Sequence, residues 1–227
     1  MIEVRVVALT MPVIRECETA EEFIAYTARV SNPENQSNKL TAPKLLNYCA
    51  RKKHWSVFEI SNVVMEVKTT RDIGRQILRH RSFSFQEFSQ RYAEVTNFVK
   101  DKEARLQDVK NRQNSIELND NELQARWTDY QGAVLEVATE AYSWALEQGI
   151  AKECARVVLP EGLTMTTMYM NGSVRSWIHY LLVRTNPDTQ KEHRMVADAF
   201  AKELLYYFPT LKEVLENPIL VKPHNHK

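Results

Sequence analysis

The chain has 227 residues, 44% of them hydrophobic and 26% charged, which is the usual balance of a folded, water-soluble protein. A formal net charge of +1 argues against a general nucleic-acid-binding protein, which would be distinctly basic. A disulfide framework and a thiolate zinc site are excluded by three widely spaced cysteines: Cys17, Cys49 and Cys154. We expect a reduced compartment, by default the cytoplasm, and no membrane association, since neither a signal-peptide pattern nor a membrane-length apolar run occurs.

The N-terminal part of the chain predicts one strand and two helices. β-Branched residues roughly alternate over residues 2–9, which indicates a strand. Thr19 followed by Glu22 has the spacing of a capping box, so a helix is expected to begin there and to end near Arg29. A second helix is expected from Thr41 until the basic residues that precede residue 54.

A loop over residues 54–59 then leads into a strand at residues 62–68. Three side chains of the loop could converge on a ligand: His54, Ser56 and Glu59. Spacing alone favours the simpler interpretation, in which they are ordinary polar loop residues.

Thr69 and Asp72 predict another capped helix at about residues 70–79. One side of this helix carries a basic stripe at i, i+4 and i+8: Arg71, Arg75 and Arg79. Such stripes usually face solvent, but this one runs directly into a second basic group at Arg79–Arg81.

Residues 79–92 combine arginines, one histidine, one glutamate and several hydroxyls with three phenylalanines. Serines and phenylalanines alternate from residue 82, so the segment reads as helix end, turn, strand and turn. Guanidinium groups match phosphates and carboxylates, so we expect an aromatically anchored cradle for a flat anion. An ordinary basic helix end before a strand explains one or two of the arginines only.

Polar residues dominate positions 100–121, which predicts a long loop or a marginal exposed helix. A long helix is expected at about residues 122–148 and ends at Gly149. Its apolar residues keep helical spacing: Leu123, Trp127, Tyr130, Val134, Val137, Ala138, Ala141 and Ala145. In a shorter helix at 152–159, Arg156 either extends into solvent or faces a ligand.

Residues 164–170 predict a strand and residues 171–173 a turn, with Ser173 as the N-cap of a helix at about 174–184. Arg184 continues the apolar stripe of that helix, where a buried cation requires an anionic partner. The alternative, that Arg184 bends into water at a frayed helix end, has equal weight. A last helix is expected at about 188–207, capped by residues 186–188, before a tail at 217–227.

Many helices with three or four strands, without regular alternation of the two, predict a helix-rich α+β fold in a single domain over residues 1–227. The long apolar helices indicate an oligomer. No phosphate-binding glycine loop, metal-ligand spacing or nucleophile motif occurs. Cationic donors and hydroxyls instead predict a site for a planar phosphorylated molecule, and they are compatible with chemistry supplied by a cofactor.

The motif Arg79-His80-Arg81, seven residues and then Ser89 and Arg91 resembles the RHR-x7-S signature of flavin-dependent thymidylate synthases. Further resemblance extends over most of the chain, at residues 28–31, 54–59, 155–160 and 175–184.

That resemblance implies the family's α+β fold with a small, mainly antiparallel sheet. It also implies methylation of dUMP to dTMP without a cysteine nucleophile. Methylenetetrahydrofolate would donate the carbon, and FAD reduced by NADPH would supply the hydride. A homotetramer with active sites at subunit junctions is implied as well, with no nucleic-acid partner.

The resemblance assigns roles residue by residue. Positions around dUMP are matched by Gln76, Arg79, Glu87, Ser89, Arg91, Arg156 and Arg184. Positions around FAD are matched by Ser31, Ser56, Glu59, Arg79, His80, Arg81, Glu87, Arg175 and His179. The residues implied in catalysis are Arg184, Ser89 and His54, the last near the flavin and folate.

Two positions depart from the family pattern on the flavin side. Ile60 stands where a histidine is usual, and Ser173 where an asparagine is usual. Residues 100–121 have no counterpart that can be placed. A different function remains open from the arginines alone, namely a non-catalytic module that binds nucleotides or nucleic acid with a steep salt dependence.

Overall fold

The computed structural model describes residues 2–216, so the predicted tail at 217–227 lies outside the described residues. The described chain contains six strands: β1 (Glu3–Leu9), β2 (Asn62–Thr70), β3 (Ser84–Glu87), β4 (Arg105–Gln107), β5 (Ser115–Glu117) and β6 (Met165–Ser173). It also contains eight α-helices: α1 (Ala20–Ala28), α2 (Ala42–Arg51), α3 (Arg71–Ile77), α4 (Asn121–Glu147), α5 (Lys152–Ala155), α6 (Val174–Arg184), α7 (Lys191–Tyr207) and α8 (Lys212–Glu216).

The main sheet has four strands in the order β1-β2-β6-β3, and every pair is antiparallel. One face packs on the helices, with Val63, Met65 and Met170 fully buried there. Along β2 the intervening side chains carry charge on the other face, where Glu66 pairs with Arg5 at 2.9 Å. This alternation of buried and polar positions is the expected pattern of an antiparallel sheet. The predicted α+β fold with a small antiparallel sheet is confirmed.

Helices α6 and α7 provide much of the core above the sheet. Trp177 and Tyr180 of α6 contact Phe200 of α7, with ring centroids 5.0 and 5.8 Å apart respectively. All three side chains are almost completely buried. Because α6 follows β6 without a loop, this packing fixes both ends of α6 relative to the sheet.

The turn predicted at residues 171–173 is wrong. These residues continue β6 and pair with the first three residues of β2. Gly172 is required by packing rather than by a turn, because a Cβ there would lie 2.4 Å from a ring atom of Phe83. Ser173 does cap α6 as predicted, since its hydroxyl accepts a hydrogen bond from the backbone of Ser176 at 3.3 Å.

Three further predictions need correction. Residues 100–121 include a short hairpin of β4 and β5 rather than only a loop or an exposed helix. Asp72 does not cap α3, because its carboxylate pairs with Lys102 at 2.7 Å. The last long helix starts at Lys191, after Gln190, and is therefore not capped by residues 186–188.

Helix α4 has the predicted length, but much of its apolar stripe is not covered by this chain. Its buried side includes Ala138, Tyr142 and Ala145. Large apolar side chains on its other side are exposed, and we call them the outer face of α4: Trp127, Tyr130, Val134, Val137 and Trp144. Among residues 2–216 there is no helix with both the length and the apolar character needed to cross a bilayer.

Candidate active site

The N-terminal end of α6 holds a charged group that we call the Arg175 cluster: Glu59, Ser173, Arg175, Ser176 and His179. Arg175 Nη1 donates to Glu59 Oε1 at 2.6 Å. The hydroxyl of Ser173 donates to the other carboxylate oxygen, Oε2, also at 2.6 Å. The hydrogen bond from Ser173 and the charge of Arg175 lower the pKa of Glu59. Arg175 is therefore paired with a carboxylate.

His179 adds an unused hydrogen-bonding atom to the Arg175 cluster. Its ring packs edge-on against Trp55, with the centroids 4.9 Å apart. Burial, with the charge of Arg175, lowers the pKa of His179, so the imidazole is neutral at neutral pH. Its Nε2 is buried without a hydrogen-bond partner among residues 2–216. Such an atom is available to a hydrogen-bond partner from a ligand, a neighbouring subunit or an ordered water.

The C-terminal end of α6 holds a second group, the Arg184 cluster: Gln76, His80, Tyr180, Arg184 and His193. Arg184 Nε donates to His80 Nε2 at 2.9 Å. Burial and the charge of Arg184 lower the pKa of His80 to about 4. Within the described chain, Arg184 forms no ion pair with a carboxylate, and its hydrogen-bond partner is a neutral imidazole.

The placement of Arg184 differs from both sequence-based alternatives. The side chain does not have the anionic partner expected of a buried arginine. It is also not frayed into water, because it is half-buried and held by His80. Its charge is thus retained and positioned without being neutralised, which is the arrangement that an anionic ligand requires.

Sequence reasoning missed two members of the Arg184 cluster. His193 is 0% exposed, and its Nε2 lies 2.9 Å from the hydroxyl of Tyr180. Its Nδ1 lies 3.1 Å from Oε1 of Gln76. The sequence does contain a signal for a buried His193. This histidine lies on the otherwise apolar stripe of α7, with Val196 and Phe200 at i+3 and i+7.

A third group lies at the end of β3, around Glu87. Glu87 accepts a hydrogen bond from the hydroxyl of Thr166 at 2.9 Å and pairs with Arg71 at 3.4 Å. Arg71 is 5% exposed, so this member of the basic stripe of α3 does not face an open binding site as expected. It buttresses the Glu87 carboxylate instead.

Arg91 and Arg156 come together at Glu153. Arg91 Nε donates to the Glu153 carboxylate at 3.0 Å, and Arg156 Nε donates to the Glu153 backbone carbonyl at 3.3 Å. Ser89 precedes Arg91 in the same turn, and its hydroxyl accepts from the Arg91 backbone at 3.4 Å. Residues far apart in sequence thus form one cationic group with a hydroxyl beside it.

The remaining candidate residues are open to solvent. Arg79 and Arg81 are exposed, and their guanidinium groups form no hydrogen bond or ion pair within residues 2–216. His54 is also exposed, with its ring 6.1 Å from that of Tyr48. Exposed hydroxyls are contributed by Ser31 and Ser56. In a single chain, these groups face outward and are available to ligands.

Known proteins resemble this chain over almost its full length. The profile of the family described as "Thymidylate synthase complementing protein" matches residues 12–210. A flavin-dependent thymidylate synthase of Synechocystis sp. is 50% identical over 217 residues, which cover 94% of this chain and 99% of that protein.

The chain belongs to the flavin-dependent thymidylate synthase family.

Two further known proteins agree with that placement. A protein of Paramecium bursaria Chlorella virus 1 is 50% identical over 212 residues, covering 93% of this chain and 98% of that one. The crystal structure of the UMP/dUMP methylase PolB from Streptomyces cacaoi, bound with 5-Br dUMP, has a TM-score of 0.82. It is 28% identical and covers 98% of both chains.

Membership of the flavin-dependent thymidylate synthase family confirms the activity predicted from the resemblance. The enzyme forms dTMP from dUMP with FAD, NADPH and methylenetetrahydrofolate. The residues present fit a flavin with its phosphates, because the buried Nε2 of His179 lacks a partner within residues 2–216 and Arg175 in the same cluster supplies cationic donors. Ser173, which departs from the family's usual asparagine, caps α6 and binds Glu59.

Proposed function

We propose that this flavin-dependent thymidylate synthase binds dUMP at the Arg184 cluster and FAD at the Arg175 cluster, on opposite ends of α6. The observation that carries this proposal is the state of Arg184. Its guanidinium is held by neutral His80, so its full charge is available to an anion. Arg175, in contrast, is already paired with Glu59.

On the dUMP side, the arginines hold the nucleotide and stabilise developing charge. Arg79, Arg91 and Arg156 bind the phosphate, since a phosphate dianion needs several cationic donors. Arg184 polarises a uracil carbonyl and stabilises negative charge on the ring as C5 becomes nucleophilic. Oriented polar contacts to the nucleotide come from Gln76, Ser89 and Glu87.

Catalytic contact is proposed for Arg184, Ser89 and His54. The hydroxyl of Ser89 lies in the same turn as Arg91, so both reach the same part of the nucleotide. His54 begins the segment that ends at Glu59, which supports a position for His54 near the flavin and the folate. No cysteine is required, because ring activation comes from charge stabilisation rather than from a covalent bond to the enzyme.

On the FAD side, the donors and acceptors come from three segments of the chain. His179 offers its unpartnered Nε2, and Arg175 with Glu59 offers a charge pair whose outer edges remain exposed. Further contacts are proposed for Ser31, Ser56, Arg79, His80, Arg81 and Glu87. When bound, FAD reduced by NADPH supplies the hydride, and methylenetetrahydrofolate supplies the carbon.

The visible spectrum of the protein as isolated tests this function. We expect a yellow protein whose flavin absorbance is bleached by NADPH and which forms dTMP from dUMP. A colourless protein that takes up no added FAD would contradict the function. The competing hypothesis, a non-catalytic nucleic-acid binder, predicts steeply salt-dependent binding to oligonucleotides. Preferential binding of dUMP with a weaker salt dependence favours the enzyme.

We also propose a homotetramer with active sites at the subunit junctions. The outer face of α4 supports this, because five large apolar side chains are exposed on one helix. Trp127, Tyr130, Val134 and Val137 alternate at spacings of three and four residues, the spacing with which a second helix packs. A second copy of this chain is the proposed occupant.

The oligomer is tested by placing charge on the outer face of α4. Val134→Glu should lower the molar mass in solution and abolish dTMP formation, because a carboxylate is costly to bury in an interface. Val13→Glu is the matched control, since Val13 is fully exposed at 100% and lies outside α4. A Val134→Glu variant that remains a tetramer would rule out this face as the interface.

We propose further that residues 1–227 form a single domain in the cytoplasm. The main hydrophobic core, which combines residues from Ala20 to Val214, supports a single domain. All three cysteines are free, as expected in a reducing compartment: Cys17, Cys49 and Cys154.

A further inference from the structure

His193 is a buried histidine with a partner on each ring nitrogen. It is 0% exposed, and the side chains that reach it come from α3 and α6. The hydroxyl of Tyr180 lies 2.9 Å from Nε2, and Oε1 of Gln76 lies 3.1 Å from Nδ1. His193 therefore connects the core of the protein to Gln76, a residue on the dUMP side of the proposed site.

The chemistry of these partners fixes the direction of each hydrogen bond. An amide oxygen can only accept, so Nδ1 of His193 carries the proton that is donated to Gln76. Nε2 is then the acceptor and the hydroxyl of Tyr180 is the donor. Burial supports this order by raising the pKa of the Tyr180 hydroxyl and by lowering the pKa of His193 to about 3.

The orientation of the Gln76 amide has an independent anchor, because the Glu192 carboxylate can only accept and therefore turns the NH₂ group of Gln190 towards itself and its Oε1 towards Gln76. With Oε1 held by His193, the NH₂ group must point the other way, and Nε2 donates to Oε1 of Gln190 at 2.6 Å. Gln190 is itself oriented, because its own Nε2 donates to Glu192 at 2.9 Å. The amide of Gln76 has one further N–H, which forms no hydrogen bond within residues 2–216.

We propose that His193 is a positioning residue for dUMP binding, which holds the Gln76 amide so that its free N–H faces an acceptor oxygen of the nucleotide. This inference depends on the proposed dUMP site. His193 does not touch the substrate and acts through Gln76. An amide in the opposite orientation would present its carbonyl oxygen to an electron-rich oxygen of the ligand, which is repulsive.

A purely structural role for His193 makes a different prediction. The surrounding stripe of α7 is apolar, so a leucine would fill the same position in a helix of this kind. If His193 served only the core, its replacement would change the free energy of unfolding and leave dUMP affinity unchanged. The two roles are therefore separated by a binding measurement.

The experiment measures the Kd for dUMP with FAD-loaded enzyme by calorimetry. His193→Leu should raise the Kd about 10-fold, the scale of one lost buried hydrogen bond. His193→Asn is the conservative variant, because its amide N–H can still donate to Gln76, and its Kd should lie within about 3-fold of the wild type. Retained FAD and an unchanged far-UV circular dichroism spectrum establish that each variant is folded.

A double-mutant cycle tests whether the effect passes through Gln76. If it does, adding His193→Leu to Gln76→Ala should weaken dUMP binding no further than Gln76→Ala alone. If His193→Leu does not fold, Tyr180→Phe replaces it in the cycle, since the phenyl ring keeps the packing and removes the donor to His193.

The outcomes separate this inference from the proposed function. Wild-type enzyme that binds no dUMP overturns both. Wild-type enzyme that binds dUMP, with equal affinity in His193→Leu or with additive effects in the cycle, overturns the positioning role alone. A raised Kd that the asparagine restores, together with non-additive effects, supports it.

Discussion

The two ends of α6 hold their arginines in opposite ways. At the N-terminal end, Arg175 forms an ion pair with Glu59 at 2.6 Å, and the group is partly open to solvent. At the C-terminal end, Arg184 is held by a neutral imidazole, that of His80, at 2.9 Å. Both arginines lie on α6, nine positions apart, and only Arg175 is neutralised by a carboxylate.

This difference shows how a protein can position a cation without cancelling its charge. A carboxylate orients an arginine but also satisfies it, so little attraction remains for an anionic ligand. An imidazole nitrogen orients the same group with a lone pair and no net charge. His80 is kept neutral by two effects. Burial disfavours its charged form, and the adjacent positive charge of Arg184 would repel a second one.

The strongest test of this comparison removes the unneutralised arginine. Arg184→Ala should lower kcat/KM for dTMP formation by at least about 100-fold, because a positioned charge that stabilises the transition state is lost. Steady-state kinetics measure the effect. Arg194→Ala is the control, since Arg194 lies on α7 outside the proposed site and its Nη1 donates to the backbone carbonyl of Pro187. A molar mass in solution below that of the wild type would mean that Arg184 is structural.

The second test makes the C-terminal end resemble the N-terminal end. His80→Glu places a carboxylate beside Arg184 and should raise the Kd for dUMP about 10-fold, since the guanidinium is then paired before the ligand arrives. His80→Gln is the matched control, because it is neutral and of similar length. Equal dUMP affinities in the two variants would show that neutrality at this position is unimportant.

The third test uses the acid sensitivity of the Arg184 cluster. The pKa values of His80 and His193 are lowered to about 4 and about 3, below the ordinary value of 6.5. Between those values and 6.5 the unfolded chain binds protons that the folded chain does not, so stability falls as pH decreases through this window.

The measurement is the free energy of unfolding as a function of pH. The slope of the free energy of unfolding against pH gives the number of protons taken up on unfolding. Near pH 5, this number should be about one lower in His193→Asn than in the wild type. The same slope in both proteins would contradict a buried, neutral His193. The lowered pKa of Glu59, at the N-terminal end of α6, acts in the same sense, but only as the pH falls below the ordinary pKa of a carboxyl group.

The smallest expected effect is at the N-terminal end. Ser173→Ala removes the cap of α6 and the hydrogen bond to Glu59, and should destabilise the fold by about 1 kcal/mol. Thermal unfolding at a fixed pH measures this loss. Ser173→Asn should stay close to the wild type, because asparagine is an equally good N-cap. A loss as large with asparagine as with alanine would show that the hydrogen bond to Glu59 dominates.

Local sequence signals predicted much of the fold. The bounds of α6 follow from the Ser173 cap and from the apolar spacing of Trp177 and Leu181, and the structure reproduces them as Val174–Arg184. Where local signals were misleading, a distant contact was responsible. Gly172 resembled a turn residue, but it lies in a strand to make room for the ring of Phe83.

The sequence by itself determined the family, the element types and which side chains carry charge, because motif spacing, helix caps and apolar periodicity are properties of neighbouring residues. Only the tertiary structure decided which charges remain unpaired. Arg175 meets Glu59 across 116 positions, Arg184 meets His80 across 104, and Gln76 meets His193 across 117. Such pairings depend on how β6, α3 and α7 pack together, and a site of this kind is defined by those long-range contacts.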